Sequence, residues 1–480
     1  MPHAVGPHRV CTIIIACSCL AGCAGDSSFS GPSIIADLER HRIPVADDDG
    51  RVPASPDEYR LPATGPITLA DLLAVAEVKN PDLASVRSGV GVAAGALWQA
   101  SMYPNPRGDV LSEDISRDDG FSGSKTTVGI TQPIILGDRR GAAIRAADAE
   151  RAARLAAVDA RRRSLFGEIT TVHAQLLVLR EQHRLCTELR GVADRTLASA
   201  QARFEAKAAP ETDVIRPRVE VYRIDAALGR LASEQRASAK QLALLIGGVD
   251  VDPARLDGAV DFNPPALDAL QLESVVKASH PALVVADKQI QAAEARLERE
   301  RAERTPDLDV RVAAGYRGET DDGVLELGAG MTIPLWDARE GSILSARFEL
   351  MQARQDRLAV ENDLQSNLYA AAGEYESAKA QLDSFRDQIV PDAQRAFDQT
   401  TEGYRAGRLS FMDLLDAQRT LTEARVTLSE LAGAVVAARS RILQVVGPEV
   451  MNSNAAATVP AATEVPFTTP ERLTGAEVSR

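Results

Sequence analysis

A chain of 480 residues is long enough for two or three globular domains, but only 4% of it is aromatic, which is thin for large packed cores. Its apolar content rests on Ala, Leu and Val set among Glu, Arg and Gln, the composition of long helices that meet along narrow seams. A formal charge of −14 excludes nucleic acid as the main partner, because phosphate binding needs a basic surface.

At the start of the chain, His3, His8 and Arg9 precede an apolar run from Val10 to Leu20, the length of a signal-peptide core and too short to span a bilayer. The run closes on Leu20-Ala21-Gly22-Cys23, small residues directly before a thiol, which resembles a bacterial lipobox. Residues 1–22 then read as a signal peptide and Cys23 as the lipidated first residue of the mature chain. An ordinary signal peptide, with Cys23 a spare thiol, is the alternative. Ala24 rather than Asp follows the cysteine, which in the bacterial lipoprotein system implies sorting to the outer membrane. Cys11, Cys17 and Cys19 lie in the removed segment, so with Cys23 lipidated only Cys186 remains and no intrachain disulfide can form. Residues 23–66 hold many Pro and Asp and no periodic apolar pattern, which predicts an extended, lipidated tether. Nothing later approaches a run of about 18 apolar residues, so any membrane spanning falls to strands.

Beyond the tether the chain repeats itself at an offset of 200 residues. Asn80-Pro81-Asp82-Leu83 matches His280-Pro281-Ala282-Leu283, Pro106 to Val110 matches Pro306 to Val310, and Phe204-Glu205-Ala206-Lys207 matches Tyr404-Arg405-Ala406-Gly407. The first copy covers residues 67–247 and the second 267–447, with a linker at 248–266 and an Ala, Thr and Pro-rich tail at 448–480.

Each copy reads helix, strand, strand, helix, helix. From Leu165 an apolar seam runs through Ile169, Val172, Leu176, Leu179, His183, Cys186, Arg190, Ala193, Leu197, Ala200 and Phe204, spaced alternately four and three, a sustained heptad. In the second copy the seam passes through Leu364, Leu368, Ala371, Tyr375, Ala378, Leu382, Phe385 and Ile389, and its last helix repeats the spacing from Leu421 to Ile442. A helix over 139–205 would be roughly 100 Å long.

Strands are expected at about 107–115, 125–136, 307–316 and 324–335. In the second copy Leu308, Val310, Val312, Ala314 and Tyr316 alternate with Asp309, Arg311 and Ala313, while Leu325, Leu327, Ala329, Met331 and Ile333 alternate with Glu326, Gly328, Gly330 and Thr332. That is the length and pattern of membrane-spanning β-strands; soluble hairpins capping a bundle are the alternative. Four strands cannot close a barrel, and an open edge in lipid leaves backbone groups unpaired, so closure requires further copies of the chain.

These residues carry a family resemblance. Tyr404-Arg405-Ala406-Gly407-Arg408-Leu409-Ser410-Phe411-Met412-Asp413-Leu414-Leu415-Asp416-Ala417 is similar to the periplasmic helical tip of TolC-type outer membrane factors, and the likeness covers about 67–447. The first copy departs from it: Lys207 replaces the turn glycine, Pro210 sits in the turn, and Arg216 stands where Asp416 does. The resemblance implies a mainly α fold with a membrane β-barrel part, assembled as a homotrimer whose twelve-stranded barrel sits on an α-helical tunnel. It also implies partners: a periplasmic adaptor, an inner-membrane pump of the resistance-nodulation-division type, and outer-membrane lipid. Gln132-Pro133-Ile134-Ile135-Leu136-Gly137-Asp138-Arg139-Arg140 resembles the strand-to-helix junction of the CzcC-like heavy-metal group, which favours a Glu where Ile135 stands and a Gly where Asp138 stands.

No catalytic constellation is present and no cofactor is implied. His173 and His183 are ten residues apart, and His183 and Cys186 both fall on the heptad seam, where packing is the simpler role. Asp413 and Asp416 lie three apart on one helical face, and threefold symmetry would gather them into a carboxylate ring that favours cations. The resemblance assigns tip aspartates to the periplasmic gate, Tyr404 to gating contacts and Gly407 to the tip turn. The competing role for Asp413 is a helix N-terminal charge, and for Asp416 a solvated surface residue. The function expected is passive export of small substrates, heavy-metal cations first. Type I protein secretion, drug or solvent efflux, and a periplasmic coiled-coil structural lipoprotein are the rivals.

Overall fold

A computed structural model describes residues 31–40, 60–115, 124–208 and 210–447; the expected signal peptide at 1–22, the expected lipidation site Cys23 and the tail at 448–480 lie outside them. The chain forms two compact units, and neither is one of the two sequence repeats. The first takes Ser85–Val158 and Val285–Arg357 together with the N-terminal segment; the second takes Pro56–Ala84, Asp159–Val284 and the chain from Leu358 onward. The cuts fall at corresponding places in both copies, so each unit is built from matching parts of each.

The first unit holds the sheet. β1 (Arg107–Glu113), β2 (Lys125–Ile134), β3 (Leu308–Arg317) and β4 (Asp322–Met331) form an antiparallel meander in chain order. β2 and β3 come from different copies, yet they pair over their full length, from Lys125 opposite Arg317 to Ile134 opposite Leu308. β4 ends four residues short of the expected limit at 335, because its partner β3 begins at Leu308, opposite Met331, and leaves nothing to pair beyond it. A second departure concerns the tether, which is not extended throughout. Gly31–Arg40 forms helix α1, whose Ile34 and Leu38 are buried against Val90, Ala94, Leu155 and Val158. Two apolar residues four apart give a helix too short a stripe to stand out in a Pro- and Asp-rich sequence; their partners on α3 (Pro81–Ser101) and α4 (Arg139–Glu205) select the conformation.

The second unit is helical. Most of α4, with α5 (Thr212–Leu245), makes one coil, in which Leu189 and Ala193 pack on Val221 and Ile224, and Cys186 packs on Leu179 and Leu231. The larger core joins α6 (Ala269–Ser279), α8 (Glu340–Ser384) and α10 (Phe411–Val446) through Leu272, Val276, Leu368, Tyr375, Leu382, Val435 and Ile442. Most apolar heptad positions are buried, among them Leu165, Ile169, Leu176, Ala193, Leu368, Tyr375 and Leu382; His183, Arg190, Leu197, Leu364 and Phe385 are half-buried, and Phe204 and Ile389 at the seam ends are exposed. The copies also differ in continuity. Where α4 runs unbroken for 67 residues, the second copy passes from α8 through a π turn at Phe385–Ile389 into α9 (Val390–Arg405). Pro391 lacks the N–H that would reach back to the preceding turn, and the π turn absorbs that loss.

One joint inside this unit is solved by two different residues. Asn80 caps the helix that follows it: its Oδ1 accepts from the Leu83 N–H at 2.9 Å, and its Nδ2 donates to the Leu245 carbonyl at 2.8 Å. At the matching place His280 Nδ1 accepts from the Ala282 N–H at 3.1 Å, which begins α7 (Pro281–Ala302). Only a neutral imidazole can accept there. Burial, and then the Arg163 guanidinium, push the His280 pKa down to about 4. A histidine depressed in the folded state contributes stability that is complete above its unfolded value near about 6.5 and is lost as pH falls toward its folded value. His280→Asn, which places the first copy's capping residue in the second, is expected to flatten the loss of stability between those two pH values. Thermal unfolding of both proteins across that window measures it, and parallel acid losses would remove the role given to His280.

Candidate functional site

Because residues opposite each other in an antiparallel pair point to the same side, the register sorts the sheet into two faces. Val110, Val128, Ile130, Val312, Leu325 and Leu327 share one face with Leu308, Val310, Ile134 and Met331. It is uncovered within the chain: Val110 is 71% exposed, Val128 62%, Leu325 70% and Leu327 77%. Holding a face of this kind in water forfeits on the order of 10 kcal/mol of transfer free energy, so an apolar medium is its natural surrounding. The opposite face carries Asp109, Glu113, Lys125, Thr127, Asp309, Arg311 and Glu326. Its charges are matched: Arg311 Nη2 lies 2.6 Å from Asp109 Oδ2 and its Nη1 2.9 Å from Glu326 Oε2, while Arg107 lies 3.5 Å from Asp309. Among the described residues β1 and β4 each have one neighbour, leaving an edge at either side.

At the other candidate site, two helical turns are packed together in the second unit. Ala200 and Val214 of the first copy meet Tyr404, Leu414 and Leu415 of the second. The Arg203 guanidinium stands 5.6 Å from the centre of the Tyr404 ring and donates to its hydroxyl. Both turns close in the same way. The N–H of Arg408 reaches the Gly403 carbonyl at 2.8 Å and that of Gly407 reaches Tyr404 at 2.9 Å; the Ala208 N–H reaches Arg203 at 2.8 Å and that of Lys207 reaches Phe204 at 2.8 Å. The motif requires a left-handed residue, which is Gly407 with φ +69 in one copy and Lys207 with φ +57 in the other.

Asp413 is the third residue of α10 and closes a capping box with Ser410. Its Oδ2 accepts from the Ser410 N–H at 2.8 Å and from Ser410 Oγ at 2.7 Å, and its own N–H donates back to Ser410 Oγ at 3.2 Å. The hydroxyl first and then the backbone N–H of Ser410 hold the Asp413 carboxyl below the usual aspartate range. Asp416 is exposed one turn further on, beside Met412, Arg216 and Arg419. The tip residues named from sequence therefore sit on one hairpin. Arg203 and Ser410 were not singled out, although Ser410-x-x-Asp413 before an apolar run is itself a capping-box spelling.

Elsewhere, Cys186 is buried and its thiol is pushed up by that burial, a packing residue rather than a reactive one. His173 is also buried, and burial pushes its pKa down, while Arg180 donates to the Leu256 and Gly258 carbonyls at 2.6 Å. Arg180 of α4 thus fastens the linker between the repeats. No helix among the described residues is long and apolar enough to cross a membrane.

Comparison with known proteins agrees with this geometry. Residues 73–248 and 272–448 match a family described as outer membrane efflux protein. The cobalt-zinc-cadmium resistance protein CzcC of Cupriavidus metallidurans is 27% identical over 80% of this chain and 91% of its own length. The pyoverdine export outer membrane protein OpmQ of Pseudomonas putida is 26% identical over 62% of this chain and 65% of its own. Among solved structures, the outer-membrane channel OprN superposes with a TM-score of 0.64 at 16% identity, over 79% of this chain and 89% of that one. CusC superposes with a TM-score of 0.63 at 16% identity, over 84% and 99%.

The unequal turns make two predictions. Lys207→Gly is expected to raise stability by about 1 kcal/mol and Gly407→Ala to lower it by a similar amount, measured as denaturant midpoints. Ser410→Ala is expected to return the Asp413 carboxyl toward its ordinary range. Since a depressed carboxyl stabilises only above its folded value, the wild-type cap persists to lower pH than the variant's; hydrogen exchange at the start of α10 during acid titration reads the difference.

Proposed function

The chain belongs to the outer membrane efflux protein family, and from that premise we propose that it is a homotrimeric exit duct for heavy-metal cations. Membership accounts for efflux across the outer membrane and for a periplasmic helical tunnel; the trimer, the metal cargo and the partners are the further step. The sheet carries the reading. An uncovered apolar face set against a charge-matched polar face is what a barrel wall between lipid and water requires, and two open edges require other copies to pair them. Three copies give twelve strands, enough for a lumen that continues a helical tunnel. A periplasmic adaptor and a proton-driven inner-membrane pump complete the path, and Cys23 adds a lipid anchor.

The cargo reading draws on relatives whose names record cobalt, zinc, cadmium and nickel resistance. An acidic chain whose exposed tip presents Asp413 and Asp416 suits cations. We place the periplasmic gate at those two carboxylates with Tyr404 beside them. Their repulsion is held in check by the cap on Asp413 and by bound cations. The pyoverdine relative keeps organic cargo as the second reading.

Purified protein is expected to run as detergent-stable, heat-modifiable trimers and to conduct ions in planar bilayers. A soluble monomer after removal of the lipid would sink the channel. Asp413→Ala with Asp416→Ala is expected to raise conductance and weaken block by divalent cations; unchanged currents would remove the gate from these residues. Growth of a deletion strain on a panel of metals, siderophores and drugs decides the cargo. Sensitivity confined to organic compounds would overturn the metal assignment.

A further inference from the structure

On the polar face of the sheet, Asp109, Gly129, Ala313 and Glu326 lie on one rung across all four strands. The two carboxylates stand on the outer strands, and the two middle positions have almost no side chain. Arg311, two residues along β3 on the same face, fills that space. Its guanidinium lies over Gly129, where an added Cβ would come within 3.0 Å of Nη2 and 3.1 Å of Nε. From there it reaches both ends of the rung: Nη2 is 2.6 Å and Nε 3.2 Å from Asp109 Oδ2, and Nη1 is 2.9 Å from Glu326 Oε2. Lys125 adds a second cation, 3.2 Å from Glu113 and also bonded to Glu326. The cluster thus holds two cations against three carboxylates.

We propose that Arg311 sets the charge selectivity of the duct by masking Asp109 and Glu326 on the wall of the channel, a role that rests on reading this face as lumen. Fixed charges facing a narrow aqueous path act on every passing ion, with low-dielectric material behind them to focus the field. With Arg311 in place the wall offers cations no bare carboxylate in this cluster and lets them pass without lodging. Without it, each copy contributes one more net negative charge, with Asp109 unmasked and Glu326 left to Lys125 alone. Asp109 is the complementary lever, since its neutralisation leaves Arg311 undercompensated.

The test is the reversal potential of the full-length protein in planar bilayers across a potassium chloride gradient. Arg311→Gln is expected to raise the potassium-to-chloride permeability ratio several-fold, Asp109→Asn to lower it, and Arg311→Lys, which keeps the charge, to stay near the wild-type ratio. An assembled Arg311→Gln channel with an unmoved ratio overturns the proposal. Should Arg311→Gln fail to assemble, Asp109→Asn decides: a shift toward chloride supports the masking role and no shift overturns it. A wild-type protein that carries no current overturns the channel reading and this proposal with it, whereas a conducting wild type with unmoved variants overturns this proposal alone.

Discussion

Everything about the first unit follows from the need of backbone N–H and C=O groups for partners away from water. A four-stranded meander meets that need in its interior and fails at β1 and β4, the two outer strands. An apolar outer face makes water a poor solvent for the sheet, and open edges make lipid a poor one. Closure with further copies, as in the proposed trimer, satisfies both constraints at once. The polar face carries the converse demand. Charges gathered on one face of a sheet need partners, and Arg311 and Lys125 supply them to carboxylates on β1 and β4.

The helices meet the same demand by a different route. Their backbone bonds are internal, so only the side chains along a narrow seam have to be buried, and Ala and Leu at heptad spacing suffice. The compact units cut across the repeats because each repeat runs through both, contributing its strands and adjoining helix ends to one and its long helices to the other. The duplication is thus a device for building two different environments twice over along one chain.

Divergence between the copies has accumulated where one geometry can be reached by different chemistry. Asn80 and His280 both cap a helix, one with an amide oxygen and one with a neutral ring nitrogen. Gly407 and Lys207 occupy the same left-handed turn position, at unequal conformational cost. Pro391 accompanies a π turn where the first copy continues as one helix, and apolar side chains still pack on either side of it. The backbone plan survives these substitutions because it is held by seam packing and by the strand ladder rather than by any one of the exchanged residues.

What was legible in the sequence is what is written in periodicity. The offset of 200 residues, the heptads, and alternation over strands of about ten residues are local patterns, and each maps directly onto an element. The gate candidates were legible as a motif, together with their position on a turn. What is written in long-range contact was not. The pairing of β2 with β3, the helix at Gly31–Arg40, the tie between Arg203 and Tyr404, and the reach of Arg311 across Gly129 to Asp109 all join residues far apart in the chain. Alternation shows which residues share a strand face, but only register shows which of them share a rung, and a shift of one residue would exchange the faces. The sequence by itself therefore determined the elements, the duplication and the two-faced strands; the tertiary structure alone decided which charges meet, because side-chain pairing depends on register and packing that no local pattern encodes.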